Sequence, residues 1–182
     1  VTSVLRASDS NLRGQRDTYT LHVGIDGIMM PASFRSAVST LLERADRAQE
    51  TLCLIAMRLD DLERIATAFG PGEAEILAKA WRDGIRRYAP TASLVGEGDG
   101  HSLLVAFLTT SFADVRRTAA TMQRRVRDDA AALGLSIVPV IGAGVASTQQ
   151  AGYDFAALAT AAQEAAQRSA ASHDTSVVLA ES

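Results

Sequence analysis

The sequence predicts an α+β domain built on a ferredoxin-like β-α-β-β-α-β core, with a mainly antiparallel five-stranded sheet and flanking helices. Three observations carry this. "TLCLIAMRL" (51–59) is almost wholly apolar, as a central strand covered on both faces must be. "ASLVGE" and "SLLVAFL" bracket the glycine-rich "GEGDGH" (residues 92–108), the pattern of a β-hairpin. Several segments between and around the strands carry apolar residues at helical spacing.

In chain order, residues 1–18 are polar without sustained periodicity and are expected to form a linker or flexible arm, leaving 19–182 as the domain. "YTLHVGI" (19–25) alternates and reads as a short strand, which "DGIMMP" turns away. Pro31 suits a first helical turn, and Phe34, Ala37, Val38, Leu41, Leu42 and Ala45 form an apolar stripe up to Gln49. After the central strand, 60–69 reads as a short helix with Asp60 or Asp61 at its start. "GPG" (70–72) ends it, and 73–88 forms a longer helix with Ile76, Leu77, Ala80, Trp81 and Ile85 inward. The hairpin follows. Residues 112–133 are a long amphipathic helix with an arginine-rich outer face. "LSIVPVIGAGVA" (135–146) is a strand in which Pro139 implies irregular pairing or an edge. An alanine-rich helix (154–171) and a last strand (175–180) complete the order β-α-α-β-β-α-β-α-β behind the first helix. Nucleotide cyclases and polymerase palms share this plan, so topology alone does not give function.

Composition removes several functions. The 182 residues suffice for one domain with a proper core, and a net charge of −3 leaves no broad basic field for nucleic acid. Cys53 is the one cysteine and sits in an apolar run, so disulfides and cysteine-built metal sites are excluded and an inert buried thiol is expected. No apolar run approaches a membrane span and no signal peptide is visible. The chain starts at Val1, as expected of a piece of a longer protein, so a membrane would be reached only through an upstream segment.

The candidate ligand-binding residues are Asp60, Asp61, Glu97, Gly98, Asp99, Gly100 and His101. Two loops at one end of a sheet could offer hard oxygen ligands to magnesium. The simpler reading, preferred here, is that Asp60 or Asp61 caps a helix and that Glu97 and Asp99 are solvated turn residues. His101 has no second histidine nearby in sequence and reads as a partly exposed hairpin residue. "GEGDG" lacks the lysine and hydroxyl residue of a P-loop, though its backbone N–H groups could meet a phosphate.

Taken in register from about residue 26 to 180, the chain resembles the GGDEF domain of diguanylate cyclases. "DGIMMPASF" stands where that family carries D-x-L-T-G-L-x-N-R-x-x-F, with Asp26, Ile28, Pro31 and Phe34 matching. "LIAMRLDDLERIATAFG" parallels its apolar strand followed by D-x-D-x-F-K-x-I-N-D-x-x-G. "GEGDGHSLLVAF" occupies the signature hairpin, "VIGAGVA" resembles S-I-G-V-A, and "AAQEAAQRSA" resembles A-D-x-A-L-Y-x-A-K. The resemblance implies a cytoplasmic signalling domain related to enzymes that join two GTP molecules into cyclic di-GMP, with divalent metal, across a dimer.

It also exposes departures. The first metal-binding carboxylate falls on Arg58, while Asp60 matches the second. The phosphate-binding lysine becomes Glu63, the guanine-reading asparagine becomes Ala66, and the later guanine-reading aspartate falls near Glu73 or Ala74. The lysine of the last motif becomes Ala170. The signature acids fall on Gly100 and His101, or one residue later on His101 and Ser102. The inhibitory R-x-x-D is missing. The expectation is a degenerate GGDEF-like regulatory or protein-interaction module with no catalytic residues, no metal and no cofactor. Its partners would be a protein or a second copy of itself. Two alternatives stand beside it: a nucleotide sensor for GTP or cyclic di-GMP without catalysis, and a divergent active cyclase using magnesium with Asp60, Asp61 and Asp99.

Overall fold

The structure, a computed structural model, describes residues 3–5, 21–24, 26–60, 62–135, 139–172 and 177–180. Its centre is a mixed five-stranded sheet. In chain order the strands are β3 (Thr51–Leu59), β4 (Leu94–Glu97), β5 (Ser102–Thr109), β6 (Ile141–Ser147) and β7 (Val178–Leu179); in space they run β4-β5-β3-β6-β7. Among the described strand pairs of this sheet, only β6–β7 is parallel. A separate antiparallel pair joins β1 (Ser3–Leu5) to β2 (Leu21–Val23). Thus part of the segment expected to be an arm is paired backbone; its remaining residues lie outside those described.

The apolar run of β3 is explained by its position between β5 and β6 with helices on both faces. Cys53, Ile55, Met57 and Leu59 face α2 (Leu62–Phe69), α3 (Pro71–Tyr88) and α4 (Phe112–Ala131). Leu52, Leu54 and Ala56 face α1 (Pro31–Ala48) and α6 (Phe155–Ala171). The alanine richness of α6 has a steric cause. A Cβ added to Gly144 would fall 2.2 Å from the Ala166 nitrogen, and one added to Gly142 would fall 2.2 Å from the Ala166 oxygen. Helix and strand therefore touch backbone to backbone, which larger side chains at Ala162, Ala165 or Ala166 would prevent.

Several boundaries differ from expectation for local reasons. Gly70, at φ +97°, alone separates α2 from α3; Pro71 already stands in the first turn of α3 and Gly72 inside it. Ile76, expected inward, is 53% exposed, because Ala74, Leu77, Trp81, Gly84 and Ile85 take the buried stripe. Pro139 precedes β6, which starts at Ile141 and lies between β3 and β7; of the two expectations, irregular pairing around Pro139 agrees with its place outside the strand, and an edge strand is corrected. Residues 136–138 of that expected strand, and 173–176 before β7, lie outside the described residues. The short helix α5 (Thr148–Ala151) was not anticipated.

Candidate functional site

The β4–β5 hairpin turns through Gly98–His101. The Gly98 N–H donates to the Ser102 carbonyl at 3.0 Å, and Gly100 takes the left-handed φ of +62° that the turn demands. One residue of α6 grips this turn. The Gln163 Oε1 accepts from the Asp99 backbone N–H at 2.7 Å and stands 3.0 Å from the Ser102 Oγ, while its Nε2 donates to Asp99 Oδ2 at 3.4 Å. Gly98 permits this approach, since a Cβ there would lie 2.8 Å from Gln163 Oε1.

Beside the turn is the last polar residue of β3. Arg58 pairs with Ser102 on one side and Gly142 on the other. Strand alternation puts its side chain on the α6 face, where its Nε donates to Asp60 Oδ1 at 2.5 Å. Both side chains are about one-third exposed. Between the turn and α6 is a cleft of about 250 Å³ lined by Arg58, Asp99, Gly100, Ser102, Thr160, Gln163, Glu164 and Gln167. Its charges are one guanidinium against the carboxylates of Asp99 and Glu164.

Glu97 belongs elsewhere. Its cross-strand neighbour is Leu103, which faces α3 and α4, so Glu97 projects from the opposite side of the sheet to Arg58. There Arg82 of α3 bridges two carboxylates: its Nη1 donates to Glu97 at 3.0 Å, and its Nε and Nη2 reach Asp26 Oδ2 at 2.7 and 2.6 Å. Asp26 Oδ1 also accepts from the Ile28 N–H at 3.1 Å, and Arg86 donates to the Asp26 carbonyl. Burial pushes the Asp26 carboxyl upward, but the Arg82 hydrogen bonds, the Ile28 N–H and the Arg82 charge together hold it below its usual range. Burial likewise opposes the Arg82 charge, and the two carboxylates more than restore it. The adjoining backbone is fastened as well, since Met29 bridges Gly96 in parallel, taking its N–H to the Val95 carbonyl and its carbonyl to the Glu97 N–H.

The structure therefore separates the candidate residues. Gly98, Asp99 and Gly100 share the turn, with Asp99 and Gly100 lining the cleft that Arg58 and its partner Asp60 adjoin. His101 is exposed, and its carbonyl accepts from the Leu59 N–H at 2.9 Å. Glu97 is locked to Arg82, and Asp61 lies outside the described residues. Among the described residues no three His, Cys, Asp or Glu side chains converge as metal ligands. A divalent cation does not fit this donor set: a guanidinium occupies position 58, Asp60 is its counter-ion, and Asp99 is turned toward Gln163. Gln163 was missed in the sequence: it lies within the segment read as resembling A-D-x-A-L-Y-x-A-K, but nothing local marks it as the residue that reaches a turn 64 positions away. Arg82 was missed because its partners lie 56 and 15 residues away.

The family model described as "Diguanylate cyclase, GGDEF domain" matches residues 27–175. Among solved structures, the chain is similar to the GGDEF domain of PA1120 (TpbB or YfiN) from Pseudomonas aeruginosa, at 21% identity and TM-score 0.76, covering 88% of this chain and 95% of that one. It is similar to the GGDEF domain of DgcB from Caulobacter crescentus in complex with c-di-GMP, at 16% identity and TM-score 0.72, covering 93% and 100%. A third is the active GGEEF domain of a diguanylate cyclase from Vibrio cholerae, at 13% identity and TM-score 0.70, covering 83% and 96%. No curated protein matches the chain in sequence.

Proposed function

Because the chain belongs to the GGDEF family, the domain of cyclic-di-GMP signalling proteins, we propose that it is a member without cyclase chemistry, retained as a regulatory or protein-interaction module on the cytoplasmic side of the cell. The observation that carries this is the 2.5 Å pair between Arg58 and Asp60. A positive charge stands where the family pattern calls for a metal-binding carboxylate, and it holds the next carboxylate as its own counter-ion. Bringing a divalent cation to that place would set like charges together and break a charge-assisted hydrogen bond. The hairpin supplies no compensating acid, since Asp99 is engaged by Gln163 and Glu97 faces the other side of the sheet.

The test is incubation of the protein, fused to a dimerising coiled coil, with GTP and magnesium or manganese, followed by mass spectrometry. No cyclic or linear dinucleotide is expected. Product above the enzyme-free background that disappears in Asp60→Asn would overturn the reading.

A second reading, nucleotide binding without turnover, is favoured by the cleft beside Arg58. Its excess of carboxylates works against a triphosphate. Calorimetric titration with GTP and with cyclic di-GMP, each with and without magnesium, separates the two readings; heat that vanishes in Arg58→Ala supports the second.

A further inference from the structure

We propose that the groove between the end of α3 and the outer face of α4 is a docking surface for an acidic segment of a partner protein. The proposal deepens the interaction-module reading. Its failure would leave the Arg58–Asp60 argument untouched, because the groove lies on the other side of the sheet.

The groove, about 190 Å³, is lined by Tyr88, Arg117, Thr118, Thr121, Met122 and Arg125. Every charged residue lining it is an arginine, in a chain whose net charge is −3. Helix α4 carries five arginines against three aspartates. Among the described residues only Arg117 of those five has a carboxylate within 4.0 Å, Asp114 at 3.3 Å, and both side chains are well exposed. Such a surface pair is weak and can be exchanged for a partner's carboxylate at little cost.

One wall is organised in advance. The Arg125 guanidinium lies 5.3 Å from the Tyr88 ring centroid and that of Arg87 5.9 Å, while the Tyr88 hydroxyl donates to Asp129 at 2.9 Å. Guanidinium groups held on an aromatic face lose less freedom on meeting a carboxylate and can bind it in bidentate fashion. Arg117 and Arg125 are eight residues apart, about 12 Å along the helix. Between them the half-buried Tyr88 ring faces the groove, and Met122, 1% exposed, closes its floor. That combination fits a peptide whose acidic side chains flank an apolar one set against Tyr88. It does not fit a nucleic acid, which would meet a net negative molecule beyond a small patch.

The experiment is an NMR titration of the isotope-labelled chain with a synthetic peptide of alternating Glu and Leu pairs. Parallel arms use the same peptide with Gln for Glu, inorganic phosphate and a single-stranded oligonucleotide. Saturable shifts centred on Tyr88, Arg117, Thr121 and Arg125 are expected for the Glu peptide alone. Affinity should fall at least tenfold in Thr121→Glu and in Arg117→Glu, two surface changes whose folding is checked by melting. The proposal is overturned by any of four results: no saturable shift, equal binding of the Gln peptide, affinity unchanged in the two variants, or tighter binding of phosphate or oligonucleotide than of the Glu peptide.

Discussion

Replacing Arg82 by methionine removes the cation that joins Asp26 to Glu97 while keeping much of the stem's apolar packing. The two carboxylates lose three N–H donors at 2.6 to 3.0 Å and are left near each other without the Arg82 counter-charge. Hydrogen bonds to charged groups contribute roughly 1.5–3 kcal/mol when shielded, but these side chains are about 30% exposed, so the net loss is about 2 kcal/mol. For a chain of this size that lowers Tm by about 4–8 °C. The effect carries a pH signature. Asp26 titrates below its usual 3.8 in the folded protein, so its stabilisation is complete above that value and is lost as pH falls through the lower, folded one. Thermal melts of wild type and Arg82→Met should differ by the full amount near neutral pH, and the gap should narrow once the pH drops below 3.8. Equal melting at neutral pH, or a gap that does not change with acid, would refute the reasoning.

Gly144→Ala forces a methyl group toward the α6 backbone at Ala166, and overpacking of this kind costs about 1–3 kcal/mol, measurable by urea denaturation. Gln163→Ala frees the Gly98–Ser102 turn from α6, so amide exchange at Asp99 should quicken by about tenfold, while global stability falls by about 1 kcal/mol. Burial pushes the Cys53 thiol up to about 12, and the side chain is wholly enclosed; alkylation at mildly alkaline pH should proceed only as fast as the protein opens, and rapid labelling of the native chain would contradict the packing described.

Local patterns revealed most of the fold. The covered strand at 51–59, the stripe ending at Ala45 and the turn at Gly100 each follow from a period or a glycine that the chain states within a few residues. Ile76 did not, because a helix with apolar residues on more than one face leaves its rotation to tertiary packing. The candidate site was half legible. Arg58 at a position expected to hold an acid was visible by register alone. That its guanidinium would take Asp60, that Gln163 would hold Asp99, and that Glu97 would face α3 were not. Those facts depend on strand alternation combined with contacts between residues distant in the chain.

Manganese binding followed by electron paramagnetic resonance tests the central claim most directly, namely that the Arg58–Asp60 pair excludes a divalent cation. Wild-type protein at millimolar Mn²⁺, with or without GTP, should show no bound-metal signal, whereas Arg58→Asp should gain one that a further Asp60→Asn abolishes. A bound-metal signal in the wild type that is lost in Asp60→Asn would contradict the account.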